Sequence, residues 1–143
     1  MKDERLKMTI TTEDFGDYVL NKPSAHETLA NISDYIEAHV AEWEQQEVIW
    51  DFSALDMQVL TSADVSVLVS RLQRVRQYRK GKRTALVCSD DLGFGMLRML
   101  HMLLEDQIDV RLLVSKTVDE AVKQLSGQKN TTSDALDDGL TEP

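Results

Sequence analysis

The sequence predicts a single-domain α/β fold with a mixed, mostly parallel sheet of about five strands and an N-terminal hairpin, flanked by about four helices in the order ββαβαβαβα. Three observations carry this. First, Val48 to Phe52 and Thr84 to Cys88 are short runs, apolar at successive positions. Strands of that kind are buried on both faces, which requires parallel neighbours and helices above and below. Second, polar turns alternate with helical spacing, as in Val65, Leu68, Val69, Leu72 and Val75 after the first run. Third, 143 residues with 42% hydrophobic content are enough for one sizeable core. The domain is expected over residues 1–126, followed by an acidic, disordered tail at 127–143, where the chain turns polar and aperiodic.

The elements follow in order. Leu6 to Thr12 alternates, with Leu6, Met8 and Ile10 on one face, which predicts a first strand. Glu13 to Asp17 has turn chemistry and Tyr18-Val19-Leu20 a second strand, so the two form a hairpin ending at Asn21-Lys22-Pro23. Ser24 to Glu27 has the form of a capping box, predicting a helix that runs to Trp43 with Leu29, Ile32, Tyr35, Ile36 and Val40 inward. Its other face carries Asn31, Asp34, Glu37, Glu42 and Glu44. Thr61 to Asp64 is a second capping box, with Leu60 and Val65 placed as a hydrophobic staple, and Lys80-Gly81 is a stop. Ser89-Asp90-Asp91 caps a helix from Leu92 to Glu105, and Asp109 to Val114 is the last strand. Thr117 to Glu120 is a third capping box, opening a helix with Val118, Ala121, Val122 and Leu125 inward.

Bulk properties narrow the function classes. A net charge of −9 argues against general affinity for nucleic acid or anionic membranes, since both require a basic surface. The single Cys88 excludes an internal disulfide framework and any multi-cysteine zinc site. No metal site is expected, because His26, His39 and His101 are scattered without ligand spacing. The opening MKDERLKMTI lacks the apolar core of a signal peptide, and no run approaches the roughly 20 apolar residues of a transmembrane helix. A soluble, cytoplasmic protein is expected, with no cofactor.

The segments VIWDFSALDMQVLTSADVSVLV, RTALVCSDD, GFGMLRMLHML and VRLLVSKTVDEAVKQL resemble, in their order and patterning, the STAS domain. This is the family of bacterial anti-sigma-factor antagonists and sulfate-transporter tails, and the likeness spans roughly Leu6 to Leu125. Around Phe94-Gly95-Met96 and Arg98-Met99 the chain is most similar to an uncharacterised bacterial branch also likened to CRAL-TRIO lipid-transfer domains. The resemblance implies a regulatory, protein-binding module. In the antagonists a serine of an Asp-Ser-Ser-Gly turn is phosphorylated by a partner kinase. Here Thr61, Ser62, Ala63 and Asp64 occupy that turn, so the second serine is replaced by Ala63 and Ser62 is the phospho-switch candidate.

Other candidate sites come from the residues themselves. Thr61, Ser62 and Asp64 stand at a helix N-terminus, either as an anion or partner site or simply as the cap. Asp51, Ser89 and Asp90 fall at the carboxyl ends of parallel strands, where open α/β sheets bind ligands. Asp51, Ser89 and Lys116 also follow three apolar runs, as the phosphoacceptor, hydroxyl and lysine of a response-regulator receiver do, although only one helix precedes Asp51. Arg71, Arg74, Arg76, Arg79, Lys80, Lys82 and Arg83 form a basic run without an intervening acid. It is either a solvated helix face or a docking patch for an acidic partner, a lipid headgroup or the acidic tail. The helix carrying Phe94, Met96, Met99, Met102 and Leu103 is apolar nearly all round, which calls for a second burial partner.

No catalytic constellation can be assembled, so the expected function is a non-catalytic interaction module. The expected partner is a protein, a second copy bound through the Met-rich helix being one candidate. The alternative is a carrier or sensor of a small apolar or amphipathic ligand held beneath that helix, and a receiver-like Asp51 is the remote one.

Overall fold

The computed structural model describes residues 10–56, 61–107 and 111–131. Strands β1 (Ile10–Asp14) and β2 (Tyr18–Pro23) form the antiparallel hairpin, with Ile10 opposite Pro23 and Asp14 opposite Val19. Helix α1 (Leu29–His39) runs into a 3-10 turn (Val40–Trp43), and β3 (Glu47–Asp51) pairs parallel with β2, aligning Leu20 with Ile49. Helix α2 (Ser62–Val75) and a second 3-10 turn (Arg76–Arg79) lead to β4 (Arg83–Val87), which sets Ala85 beside Ile49. Helix α3 (Asp91–Gln107), β5 (Arg111–Ser115) and α4 (Val118–Thr131) complete the chain, with Leu86 aligned to Val114. The sheet is mixed and mostly parallel, as the apolar runs predict.

Strand order is sequential, β1-β2-β3-β4-β5. Right-handed crossovers that step one strand at a time in one direction all put their helix on the same face. So α1, α2 and α3 share a face, where Leu29, Ile32, Leu68 and Leu97 meet Val48, Trp50 and Leu86. Among the described residues the opposite face receives only α4, whose Ala121 and Leu125 cover Leu20, Ile49, Ala85 and Val87. Alternation along β3 decides which residue goes where: Val48 and Trp50 point one way and Ile49 the other. On the three-helix side the rings form a ladder, Trp43 to Trp50 at 6.3 Å and Trp50 to Phe52 at 5.9 Å between centroids.

Several boundaries differ from the sequence expectation. Glu13 and Asp14 belong to β1, and the hairpin turn is held by Phe15 N–H to Tyr18 O at 2.9 Å with Gly16 at φ +89°. Leu6 and Met8 lie outside the described residues, as do Leu60 and the Asp109 end of the last strand. The helix does not start at Ser24. Ser24 closes a tight turn through Glu27 N–H, and Thr28 caps α1 by accepting from Asn31 N–H at 3.1 Å. Both segments begin with a hydroxyl, but β2 extends through Pro23 and leaves no room to start a helix at once. The Thr61 box forms in full, each half at 3.1 Å. Thr117 accepts from Glu120 N–H at 3.1 Å, while the Glu120 carboxylate takes Lys116 N–H. Helix α4 continues to Thr131, past residue 126, because an interior glycine such as Gly127 costs a helix about 1 kcal/mol without ending it. Residues 132–143 of the expected tail lie outside the described residues.

Candidate functional site

Helix α3 is apolar on two sides, and the fold uses only one of them. Leu97 and Leu104 are buried against the sheet and α2, with Met96 and Leu100 half-buried beside them. On the outer side Met99 is 65% and Met102 67% exposed, flanked along the same stripe by exposed Leu92 and Leu103. These positions sit three, four and seven apart, one face of a helix. Among the described residues nothing covers that face. Gly95 lies in the stripe, and a side chain there would meet nothing within 4 Å. Phe94, expected with this face, is instead half-buried with the Lys116 ammonium 5.4 Å from its ring centre. Met96 is likewise turned inward.

The helix start is well anchored. The Asp90 carboxylate caps it by accepting from Gly93 N–H at 2.6 Å. Lys116 bonds Asp91 at 2.6 Å, and this contact holds the Asp91 carboxyl below and the Lys116 ammonium above its ordinary range. The end of β5 is thereby tied to the start of α3.

Behind α3 is an apolar cavity of about 130 Å³ between the three helices and the sheet. Ile32, Trp43, Trp50, Leu68, Leu97 and Leu100 are among its walls. A void of that size costs on the order of 3 kcal/mol at about 24 cal/mol per Å³. Polar lining is confined to Arg76, Arg79 and Thr84, at the amino-terminal ends of the strands. No linear signal gives these walls, since they come from α1, β3, α2, β4, α3 and β5 and each reads alone as ordinary core.

The carboxyl edge of the sheet is occupied by local bonding. Asp51 accepts from Ser53 N–H at 3.0 Å, and Ser53 Oγ accepts from Ser89 N–H at 3.1 Å. Cys88 is fully buried, and burial pushes its thiol up. Lys116, which a receiver would aim at the acceptor aspartate, engages Asp91. At the start of α2, Thr61 and Asp64 are consumed by the capping box. Ser62 is the first residue of that helix, and its side chain lies outside the described residues.

The basic run is not one patch, since Arg79 and Arg83 are buried while Arg74, Arg76 and Lys80 are exposed. Arg79 is buried and donates to the carbonyls of Trp43 and Gln46 at 2.6 Å and of Arg83 at 2.9 Å. Burial pushes its guanidinium down to about 10, against the attraction of Glu47. Arg83 is also buried, paired with Glu47 at 3.1 Å and donating to Leu125 O at 2.8 Å. Arg71 bridges to α1, reaching Asp34 at 2.6 Å and Glu37 at 3.0 Å, while Arg74 adds Glu37 at 3.4 Å. Their acidic partner is thus the wet face of the chain's own first helix. Arg74, Arg76 and Lys80 are exposed, with Lys82 half-buried.

The α1–α2 tether should respond to acid. The Arg71 hydrogen bond, aided by its charge and that of Arg74, holds the Glu37 carboxyl below its ordinary 4.5. A carboxyl lowered in the folded state contributes stability above that ordinary value and loses it as pH falls through the lowered one. The stability gap between wild type and Arg71→Gln in urea unfolding is therefore expected to shrink from about pH 7 to about pH 3. An equal gap at both pH values would show that the tether is not ionic.

No protein-family model matches the chain, and no curated protein matches it either. Among the described residues no helix is long and apolar enough to cross a membrane. No three His, Cys, Asp or Glu side chains among them cluster closely enough to hold a metal ion.

Proposed function

We propose that this protein is a non-catalytic interaction module, of the STAS type its patterning resembles, that docks through the outer face of α3 onto a second copy of itself. The observation that carries this is the exposed stripe of Leu92, Met99, Met102 and Leu103. Large apolar side chains aligned on one rigid, capped helix lose that exposure on association. Methionine suits such a surface, being long, unbranched and polarisable.

The stripe is also self-complementary. Two copies of α3 crossing antiparallel about Met99 set Gly95 of one against Leu103 of the other, a dent against a knob. An isologous contact requires just this matching of a surface with itself. Ser62 stands as the position where a phosphoryl group would modulate such a module.

Native mass spectrometry and light scattering test the proposal. The wild-type chain is expected to be dimeric at micromolar concentrations and Met99→Lys monomeric, because a buried lysine charge opposes its own copy across the axis. A Met99→Lys variant that stayed dimeric would remove α3 from the interface. A wild type monomeric throughout the micromolar range would overturn the second copy as occupant.

A further inference from the structure

The cavity behind α3 has a size and a lining that together describe a ligand. Its volume is about 130 Å³, and its walls are aliphatic and aromatic. An apolar cavity of about 150 Å³ elsewhere stays dry and takes up benzene. The space is therefore matched to an apolar body about the size of a six-membered ring or a short alkyl chain.

Its polar lining is uneven. Arg79 is committed, its guanidinium spanning the carbonyls of Trp43, Gln46 and Arg83. Arg76, one helical turn earlier, also lines the cavity but is exposed, and it makes no ion pair or hydrogen bond with any described residue. The neighbouring cations of the same run differ: Arg71 and Arg74 are both answered by Glu37. Arg76 is thus the one arginine on the lining of this apolar chamber that is exposed and uncommitted among the described residues. A planar guanidinium is suited to bind a carboxylate through paired N–H donors.

We infer that the protein binds a small monocarboxylic acid whose apolar body fills the cavity and whose carboxylate meets Arg76. The ligand class is set by the combination. A neutral hydrocarbon of that size leaves Arg76 unused, and a long-chain lipid exceeds the volume. The site lies on the inner side of α3, so it stands independently of docking on the outer stripe.

Trp43 and Trp50 both line the chamber, so their fluorescence reports its occupancy directly. The full-length protein is titrated with hexanoate and benzoate, and in parallel with hexanol and benzyl alcohol. Saturable binding is expected for the acids, about tenfold or more tighter than for the matching alcohols, with a rise in melting temperature. Arg76→Gln, an exposed substitution that leaves the core untouched, is expected to remove the preference for acids and leave the alcohols unchanged. Leu100→Phe, which fills the chamber, is expected to abolish both responses. Equal affinity for acid and alcohol in the wild type, or an acid preference that survives Arg76→Gln, would overturn the proposal. So would the absence of saturable binding by either acid in the millimolar range.

Discussion

Arg79→Met is expected to destabilise the protein by about 3–5 kcal/mol, the usual cost of removing one partner from a buried charged network. The guanidinium is the common donor to the carbonyls of Trp43, Gln46 and Arg83, and so joins the end of the α1 region to the start of β4. Methionine fills similar space but donates nothing. Each carbonyl left without a donor costs about 1–3 kcal/mol. Relief of the arginine's own desolvation offsets part of this; that burial penalty is visible in its pKa, pushed down to about 10. The carbonyls are more numerous than the one charge relieved, so the loss dominates. Exposed Lys80→Met is the matched control and should stay within about 0.5 kcal/mol of wild type. Urea unfolding midpoints decide it, and an Arg79→Met shift below about 1 kcal/mol would show that the network is dispensable.

A chain ended after Lys116 is expected not to fold cooperatively. Helix α4 is the sole cover of the second face of the sheet among the described residues, resting on Leu20, Ile49, Ala85 and Val87. Exposing a large apolar side chain costs about 1.5–3 kcal/mol, and several are exposed at once against a total stability of about 5–15 kcal/mol. The same truncation removes the Leu125 carbonyl bound by Arg83 and the Gln124 amide oxygen bound by Ser115 Oγ. Leu125→Ala, the milder version, should cost about 2–5 kcal/mol. Circular dichroism through thermal unfolding checks both, with a chain ended after Thr131 expected to melt as the full-length protein does. A sharp transition in the shorter chain would show that the second face needs no cover.

The architecture was legible in the sequence because its strongest signals are local. Val48 to Phe52 shows double-sided burial in five consecutive letters, and Thr61 to Asp64 shows its cap in four. Where two local signals competed, the order of the chain could not arbitrate. Ser24 and Thr28 both offer a hydroxyl ahead of the same apolar pattern, and the extent of β2 decides for Thr28. The site was legible only by halves. Surplus apolar residues on the third helix called for a second burial partner without saying where it lies; Met99, Met102 and Leu103 are exposed, while Met96 and Phe94 turn inward. The basic run misled for a physical reason: charge is written in sequence and burial is not. Arg79 and Arg83 look like their neighbours Lys80 and Lys82 until carbonyls and Glu47 from distant segments surround them. A ligand beneath the third helix was one expectation, but the cavity's walls are spread over six helices and strands, so no single segment spells them out.

Sequential strand order also has a consequence for synthesis. Each new strand pairs with the one made immediately before it, so no part of the sheet waits for a distant segment to emerge. A nascent chain can add one strand–helix unit at a time, and chains emerge at about 5–20 residues per second. The exception is the second face, since α4 is the last of the described elements. Until the final helix leaves the ribosome, Ile49 and Ala85 stand open to water and to other nascent chains. Slow translation of the α4 segment, or a premature stop before it, therefore creates the species most prone to aggregate, and holding chaperones should engage this protein before that helix emerges.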